Sequence, residues 1–370
     1  MTTALYFGVA GTNLLAYLIP RNKKKNFTLI LIPSLIILGI IFSYGIANAD
    51  MQYYSLDYAT VEAGFTGYFK GTEIGFFTLT WICKRFSLGL LGLRFAIFLL
   101  STLFLVLFSR KVVYNYHLFI VLYTSFLFII NDIQLRNLIA MSISAYAFTY
   151  LNEDSRLAKM KYCFWIMFAM LFHMAAVFNF VLLLVELRNR KLLVEIVAIT
   201  SISLELLFIL DRGLIRSLSS LITPLLGSDS QRAEQYLTTQ TNGSFNVVLL
   251  IVLGIVLTWF CYESLQLTDR GLGRFYEKVY YATILQIVWL PLLWLNVEFY
   301  RFPRNMLLLI NVLVCNYFVV EKRGLTLRKL KIIGLLVITT IAWIIVAYSI
   351  ISEWDAVIIP IFEHNLLLNG

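Results

Sequence analysis

Two residues stand out for the chemistry that their type and setting would allow, an arginine opening a run of small residues and a histidine isolated in apolar sequence. Arg136 follows "NDIQL" and precedes "NLIAMSISAYA", so its guanidinium stands at the outer mouth of a helix able to pack closely on its neighbours. It reads either as an anion ligand or as an interfacial arginine snorkelling to lipid headgroups. His173, in "FAMLFHMAAVF", has eleven uncharged residues before it and twelve after it. A packing histidine is the plainer reading, yet a polar group inside a membrane segment is a candidate functional site by default. Arg301 and Arg304, in "YRFPR", flank a proline expected to hold the turn between two spans. Two outward-facing cations three residues apart suit a diphosphate, since the Arg fork pairs two phosphate oxygens, the alternative being an ordinary pair of loop charges.

Carboxylates supply the other half of such a site. Asp50, Asp57, Glu62 and Glu73 are interleaved with Tyr53, Tyr54, Tyr58 and Tyr68. Aromatic faces beside carboxylates suit a sugar-binding cleft, while an interfacial tyrosine belt has the same composition without a ligand. Glu205, in "ISLELLFIL", lies mid-span and is costly unless paired or facing a cavity. Arg232 and Tyr236, in "DSQRAEQY", read on their own as solvated loop residues.

These residues have to be held by a membrane scaffold. The 370-residue chain is 60% hydrophobic and 14% charged, with mean hydropathy +0.82, which excludes a water-soluble globule. Its +9 charge lies in short clusters such as "RNKKKN" and "EKRGLTLRKLK" between apolar runs; that is the pattern of cytoplasmic loops and not of a nucleic-acid groove. No basic residue precedes Arg21 and no small-residue cleavage site follows the first apolar stretch, so that stretch reads as a retained span. The four cysteines show no C-x-x-C spacing, and no disulfide or metal site follows from them.

Asking for about 20 apolar residues per crossing gives spans at 3–20, 27–47, 92–109, 112–131, 136–151, 192–210, 246–263, 279–297, 305–320 and 332–352. Segments 73–90 and 162–187 are different, the first because it contains Lys84 and Arg85, the second because it fits one span or two half-helices meeting near His173. If both enter and leave on one side, every basic cluster falls on the cytoplasmic side. The expected fold is therefore an all-α polytopic helix bundle of about 10 to 12 transmembrane helices, a single domain over 1–370, with re-entrant or interfacial segments near 73–90 and 162–187. Twelve full spans is the alternative. That topology, chosen on Lys and Arg alone, puts 48–72, "NDIQLR" (131–136), the large extracytoplasmic loop 212–245, "EFYRFPR" and the apex at His173 together outside. Apolar residues at helical spacing in "LIRSLSSLITPLL" suggest a short interfacial helix within the large loop.

Absences narrow the chemistry further. The sequence has no Walker A motif, no G-x-G-x-x-G before a helix, no H-E-x-x-H and no G-x-S-x-G. The sequon "NGS" has meaning only in a eukaryotic secretory pathway, for which nothing else argues. A basic, aromatic and acidic outer site in a membrane body suits a substrate with a lipid tail and an anionic head, such as a polyprenyl-diphosphate-linked glycan.

Four motifs in order, "ADMQYYSLDY", "TEIGFFTLTWICKRF", "IQLRNLIAMSISAYAFTYL" and "AMLFHMAAVF", resemble the pattern of the EpsG family of Wzy-like polysaccharide polymerases. The likeness covers residues 45–185 and maps onto Asp50, Tyr53 and Tyr54; Glu73, Gly75, Phe76 and Leu79; Arg136 and Ala140; and Phe172 and His173. Beyond it, "SQRAEQY" and "FYRFPRN" are similar to the family's later Arg-bearing loops, while Ala175 stands where Ser is common.

The resemblance implies a glycosyltransferase of the bacterial cytoplasmic membrane that joins undecaprenyl-diphosphate-linked repeat units on its outer face. Such a site must neutralise a leaving diphosphate and take a proton from a sugar hydroxyl. On that reading Arg136, Arg301 and Arg304 face the diphosphate, His173 or Asp50 is the base, and Tyr53, Tyr54 and Glu73 hold sugars, with Arg232 and Tyr236 as further substrate contacts. No cofactor is expected, and with no Asp-x-Asp pair in the outer loops no obligatory metal either. Implied partners are the lipid-linked glycan, membrane lipids, a flippase and chain-length regulators, with no nucleic acid. A lipid-linked polysaccharide flippase and a membrane acyltransferase are the competing classes; the former needs no base, the latter a cytoplasm-facing histidine.

Overall fold

The computed structural model describes residues 1–19, 26–45, 51–61, 73–210, 244–269, 271–293, 297–321, 326–350 and 354–368. Asp50, Arg232, Tyr236 and the 212–245 loop, apart from its last two residues, lie outside them. Among the described residues the secondary structure is helical with no strand, and Gly45 and Asn365 form an isolated bridge. Three described helices are long and apolar enough to cross a membrane, namely Gly89–Val112, Val247–Thr268 and Arg301–Val320. Leu29–Tyr44 and Met174–Glu186 are shorter apolar helices. The chain is a helical membrane protein.

The chain, read from sequence as one polytopic domain, forms two compact units. The first comprises Met1–Phe180, Val314–Glu321 and Glu353–Gly370. Its helices are α1 (Thr2–Leu18), α2 (Asn26–Tyr44), α3 (Met51–Thr60), α4 (Ile74–Arg85), α5 (Gly89–Val112), α6 (Tyr116–Phe126), α7 (Phe128–Ile133), α8 (Leu135–Phe148) and α9 (Arg156–Met170). Helix α5 is its spine, packed on α2, α3, α4 and α8, while α8 also packs on α9. Small buried residues on α8, Ala140, Ser142, Ala145 and Ala147, allow that closeness. Asn115 caps α6 by accepting from Leu118 N at 3.0 Å, and Ser155 caps α9 by accepting from Ala158 N at 3.0 Å.

The second unit comprises Val181–Leu313 and Lys322–Ser352. In it α10 (Arg190–Leu210) packs on α12 (Gly273–Leu285) and on the short α13 (Leu290–Leu293), and α11 (Ser244–Thr268) packs on α12 and on α15 (Leu327–Ile350). Helix α14 (Arg301–Val320) begins where the sequence suggested a turn. Pro303 falls in its first turn, where a missing N–H has no helical acceptor to lose. Lys278 and Glu186 form a buried ion pair at 2.5 Å.

The stretch "NDIQLR", expected as an outer loop, is instead mostly interior. Asn131 and Asp132 belong to α7 and are buried, and the chain breaks only at Gln134 before α8 starts. Asp132 pairs with Arg94 of α5 at 2.7 Å, both side chains wholly enclosed. The same guanidinium donates through Nε to the Phe42 carbonyl at 2.8 Å and through Nη1 to Met51 Sδ at 3.0 Å. One arginine therefore ties α2, α3, α5 and α7 together, from inside a segment that reads by hydropathy as an ordinary span. Breaking such a pair by removing one partner costs about 3–5 kcal/mol, because the survivor is a buried lone charge.

Candidate functional site

The first unit brings together three segments far apart in sequence. Glu73 precedes α4, Arg136 is the second residue of α8, and His173 lies in the break after α9. That break follows from where the hydrogen bonds go. Helix α9 ends at Met170, His173 N bonds back to Ala169 O at 3.0 Å, and a 3-10 helix, Met174–Glu186, continues the chain. The freed Leu171 carbonyl accepts from Gly75 N at 2.7 Å and Phe76 N at 3.3 Å, satisfying the first amides of α4. Gly75 eases the approach, since a Cβ there would lie 3.0 Å from both Leu171 O and Leu171 Cβ and would crowd them. The two half-helices read from 162–187 thus meet at His173, and α4 docks its N-terminus on the junction.

Around that junction the charges interlock. Glu73 Oε1 accepts from His173 Nδ1 at 2.7 Å and from Met174 N at 3.1 Å. Glu73 Oε2 takes Arg136 Nη1 at 2.7 Å, and Arg136 Nη2 donates to Asp57 Oδ2 on α3. Burial alone would raise the Glu73 carboxyl. The His173 hydrogen bond, the His173 and Arg136 charges and the Met174 amide outweigh it and hold Glu73 below the usual carboxylate range. Arg136 also lies against aromatic faces, its guanidinium carbon 4.6 Å from the Phe76 centroid, 5.6 Å from Phe77 and 5.8 Å from Tyr54.

Two polar atoms of this cluster stay enclosed and without a hydrogen-bond partner among the described residues, His173 Nε2 and Arg136 Nε. With Glu73 on Nδ1, Nε2 is the imidazole nitrogen left to exchange a proton with a substrate. Both terminal nitrogens of the Arg136 fork are engaged by carboxylates. Two carboxylates against one guanidinium leave the cluster net negative when the histidine is neutral.

The other expected residues are placed differently. Tyr54 faces the cluster, whereas its neighbour Tyr53 is 71% exposed. Arg301 and Arg304 belong to the second unit. Arg301 opens α14 and is part-exposed, but Arg304, expected to face outward, is wholly buried, with Nη1 donating to the Tyr300 hydroxyl at 3.3 Å. One turn into the helix, Arg304 points into the packing and not towards the loop.

The sequence reading named Asp57 among the candidate carboxylates but gave a role to Asp50 and none to Asp57. The signal for it was helical spacing, since Tyr54 and Asp57 are three residues apart in α3 and share one face. Lys84, the charge that made 73–90 resist assignment, donates to the Tyr58 and Ala59 carbonyls at 3.1 and 2.9 Å and closes the C-terminal end of α3. Helix α3 is therefore pinned by Arg136 through its Asp57 side chain and by Lys84 through its last carbonyls.

Among known proteins, the model of the EpsG family matches residues 26–359, nearly the whole chain. No curated protein and no solved structure matches it.

Proposed function

We propose that this chain, which belongs to the EpsG family of Wzy-like polysaccharide polymerases, extends a glycan by using His173 as the base on an acceptor sugar hydroxyl. The observation that carries the reading is the Glu73–His173–Arg136 arrangement, in which one imidazole nitrogen is fixed by a carboxylate and the other is enclosed, with no hydrogen-bond partner among the described residues. Nε2 takes the hydroxyl proton as that oxygen bonds to the anomeric carbon of the donor and the bond to the diphosphate breaks. The electron pair leaves with the diphosphate and the proton stays on the imidazole. Glu73 stabilises the resulting imidazolium, and Arg136 and Asp57 hold Glu73 in place.

The charge of the cluster divides the labour. A net negative site receives a neutral sugar hydroxyl more readily than a diphosphate, and the Arg136 fork is already occupied. Arg136 is thus a positioning residue for carboxylates in this reading, and the diphosphate falls to cations outside the cluster. The substrates are undecaprenyl-diphosphate-linked repeat units, and the reaction takes place on the outer face of a bacterial cytoplasmic membrane. Residues 51–61, Glu73, Arg136 and His173 all fall on that face in the topology drawn from Lys and Arg alone, which supports the assignment.

The test is the ladder of lipid-linked glycans in cells expressing variants at wild-type level. His173→Gln should leave single repeat units with no longer rungs. A wild-type ladder from His173→Gln would eliminate the imidazole as base.

A further inference from the structure

A second polar cluster in the first unit takes no part in the proposed chemistry. Helix α5 is long and apolar enough to cross a membrane and carries Arg110 and Lys111 in its last turn. Lys111 Nζ lies 3.9 Å from the Tyr150 ring centroid and 4.7 Å from that of Tyr146, and donates to Thr149 Oγ1 at 3.3 Å. From α9, Lys161 Nζ approaches the same Tyr150 ring at 5.5 Å. Two ammonium groups from different helices thus gather around one aromatic ring, beside paired Tyr146 and Tyr150 hydroxyls 2.7 Å apart.

Among the described residues neither lysine forms an ion pair, and Arg110 and Arg156 form none either. Glu153 and Asp154 are exposed nearby in sequence and pair with nothing among those residues. The N-terminus of α9, opened by Ser155, stands just before Arg156 and adds a partial positive charge.

Helix α9 and its C-cap also expose Leu157, Met160, Phe164, Met167 and Leu171, a stripe at helical spacing with Lys161 between its second and third members in sequence. A cationic, aromatic head at the end of a membrane span and an apolar stripe leading away from it match the two ends of one kind of molecule. We infer that Lys111 and Lys161 bind the phosphate headgroup of an anionic phospholipid of the cytoplasmic leaflet, its acyl chain lying along the Leu157–Leu171 face of α9. This site is independent of the polymerase reading.

The experiment uses the purified full-length protein in phosphatidylcholine nanodiscs, into which phosphatidylglycerol is titrated while thermal unfolding and bound lipid by native mass spectrometry are followed. Each lysine near an anionic surface is worth about a fivefold change in affinity. Lys111→Gln with Lys161→Gln should weaken phosphatidylglycerol retention roughly twentyfold and remove its thermal increment, with unfolding in pure phosphatidylcholine unchanged. Lys161→Gln alone, which removes one exposed ring contact, should lose about fivefold and serves where the double variant folds poorly. Equal phosphatidylglycerol response in wild type and Lys161→Gln would overturn the site. An equal thermal increment from inorganic phosphate without anionic lipid would overturn the lipid assignment in favour of a free anion.

Discussion

His173 Nδ1 and Glu73 Oε1 lie 2.7 Å apart, and the same carboxylate carries the Met174 amide on that oxygen and Arg136 on the other. The imidazole is thus fixed in orientation before any substrate arrives. Glu73→Gln preserves shape and an acceptor for Nδ1 but removes the charge that stabilises an imidazolium. Polymer synthesis should fall by about 100-fold or more for His173→Gln and by less for Glu73→Gln, measured as initial rates in proteoliposomes at equal protein.

The lowered Glu73 carboxyl also has a stability signature. A group whose folded value lies below its unfolded one contributes stability above the unfolded value, here 4.5, and loses it as pH falls through the folded value. The difference in unfolding temperature between wild type and Glu73→Gln should therefore be constant from about pH 7 down to about pH 5 and shrink on further acidification. A difference that instead grew on acidification would show that Glu73 is not held ionised by its partners.

Arg136 separates two roles by its response to its own partners. If it clamps carboxylates, Asp57→Asn and Arg136→Lys should both lower kcat, since a lysine cannot bridge Asp57 and Glu73 as the planar fork does. If it bound the diphosphate directly, Asp57→Asn would free its charge and lower KM for the lipid-linked donor. Steady-state kinetics with wild-type protein alongside distinguish the two.

The Arg94–Asp132 pair should act on the fold and not on the chemistry. Asp132→Ala leaves a buried guanidinium with only carbonyl and thioether partners, and should destabilise the first unit by about 3–5 kcal/mol. Arg94→Met together with Asp132→Leu should recover much of that loss. Unfolding followed in detergent for the three variants checks both statements.

Sidedness can be read from thiol labelling. In a background without native cysteines, Tyr53→Cys, on the exposed face of α3, should react with a membrane-impermeant reagent in intact cells, while the exposed Leu327→Cys should not. Labelling at Leu327 but not at Tyr53 would invert the topology.

Much of the helical layout was legible because apolar runs of spanning length are the strongest signal a sequence carries. The weak points were short segments with tertiary reasons for their shape. Asp132 looked like a loop residue because its partner Arg94 lies 38 positions away inside an apolar run. Arg304 looked outward because only its helical register, fixed by a helix start at Arg301, turns it inward. Glu73, Arg136 and His173 were each named from sequence, but as sugar holder, phosphate ligand and base. Their mutual pairing, with Asp57 as the fourth member, depends on α4 docking at the Leu171 carbonyl, which no local pattern encodes.

Helix α3 is attached near its C-terminal end twice over, by the Asp57 carboxylate on Arg136 and by Lys84 on the Tyr58 and Ala59 carbonyls. Any displacement of α3 away from α8 would withdraw a full negative charge from Arg136 while leaving Glu73 and His173 where they are. The position of α3 sets whether the space beside the imidazole carries an excess of negative charge or, with Asp57 withdrawn and only Glu73 and Arg136 left facing each other, none.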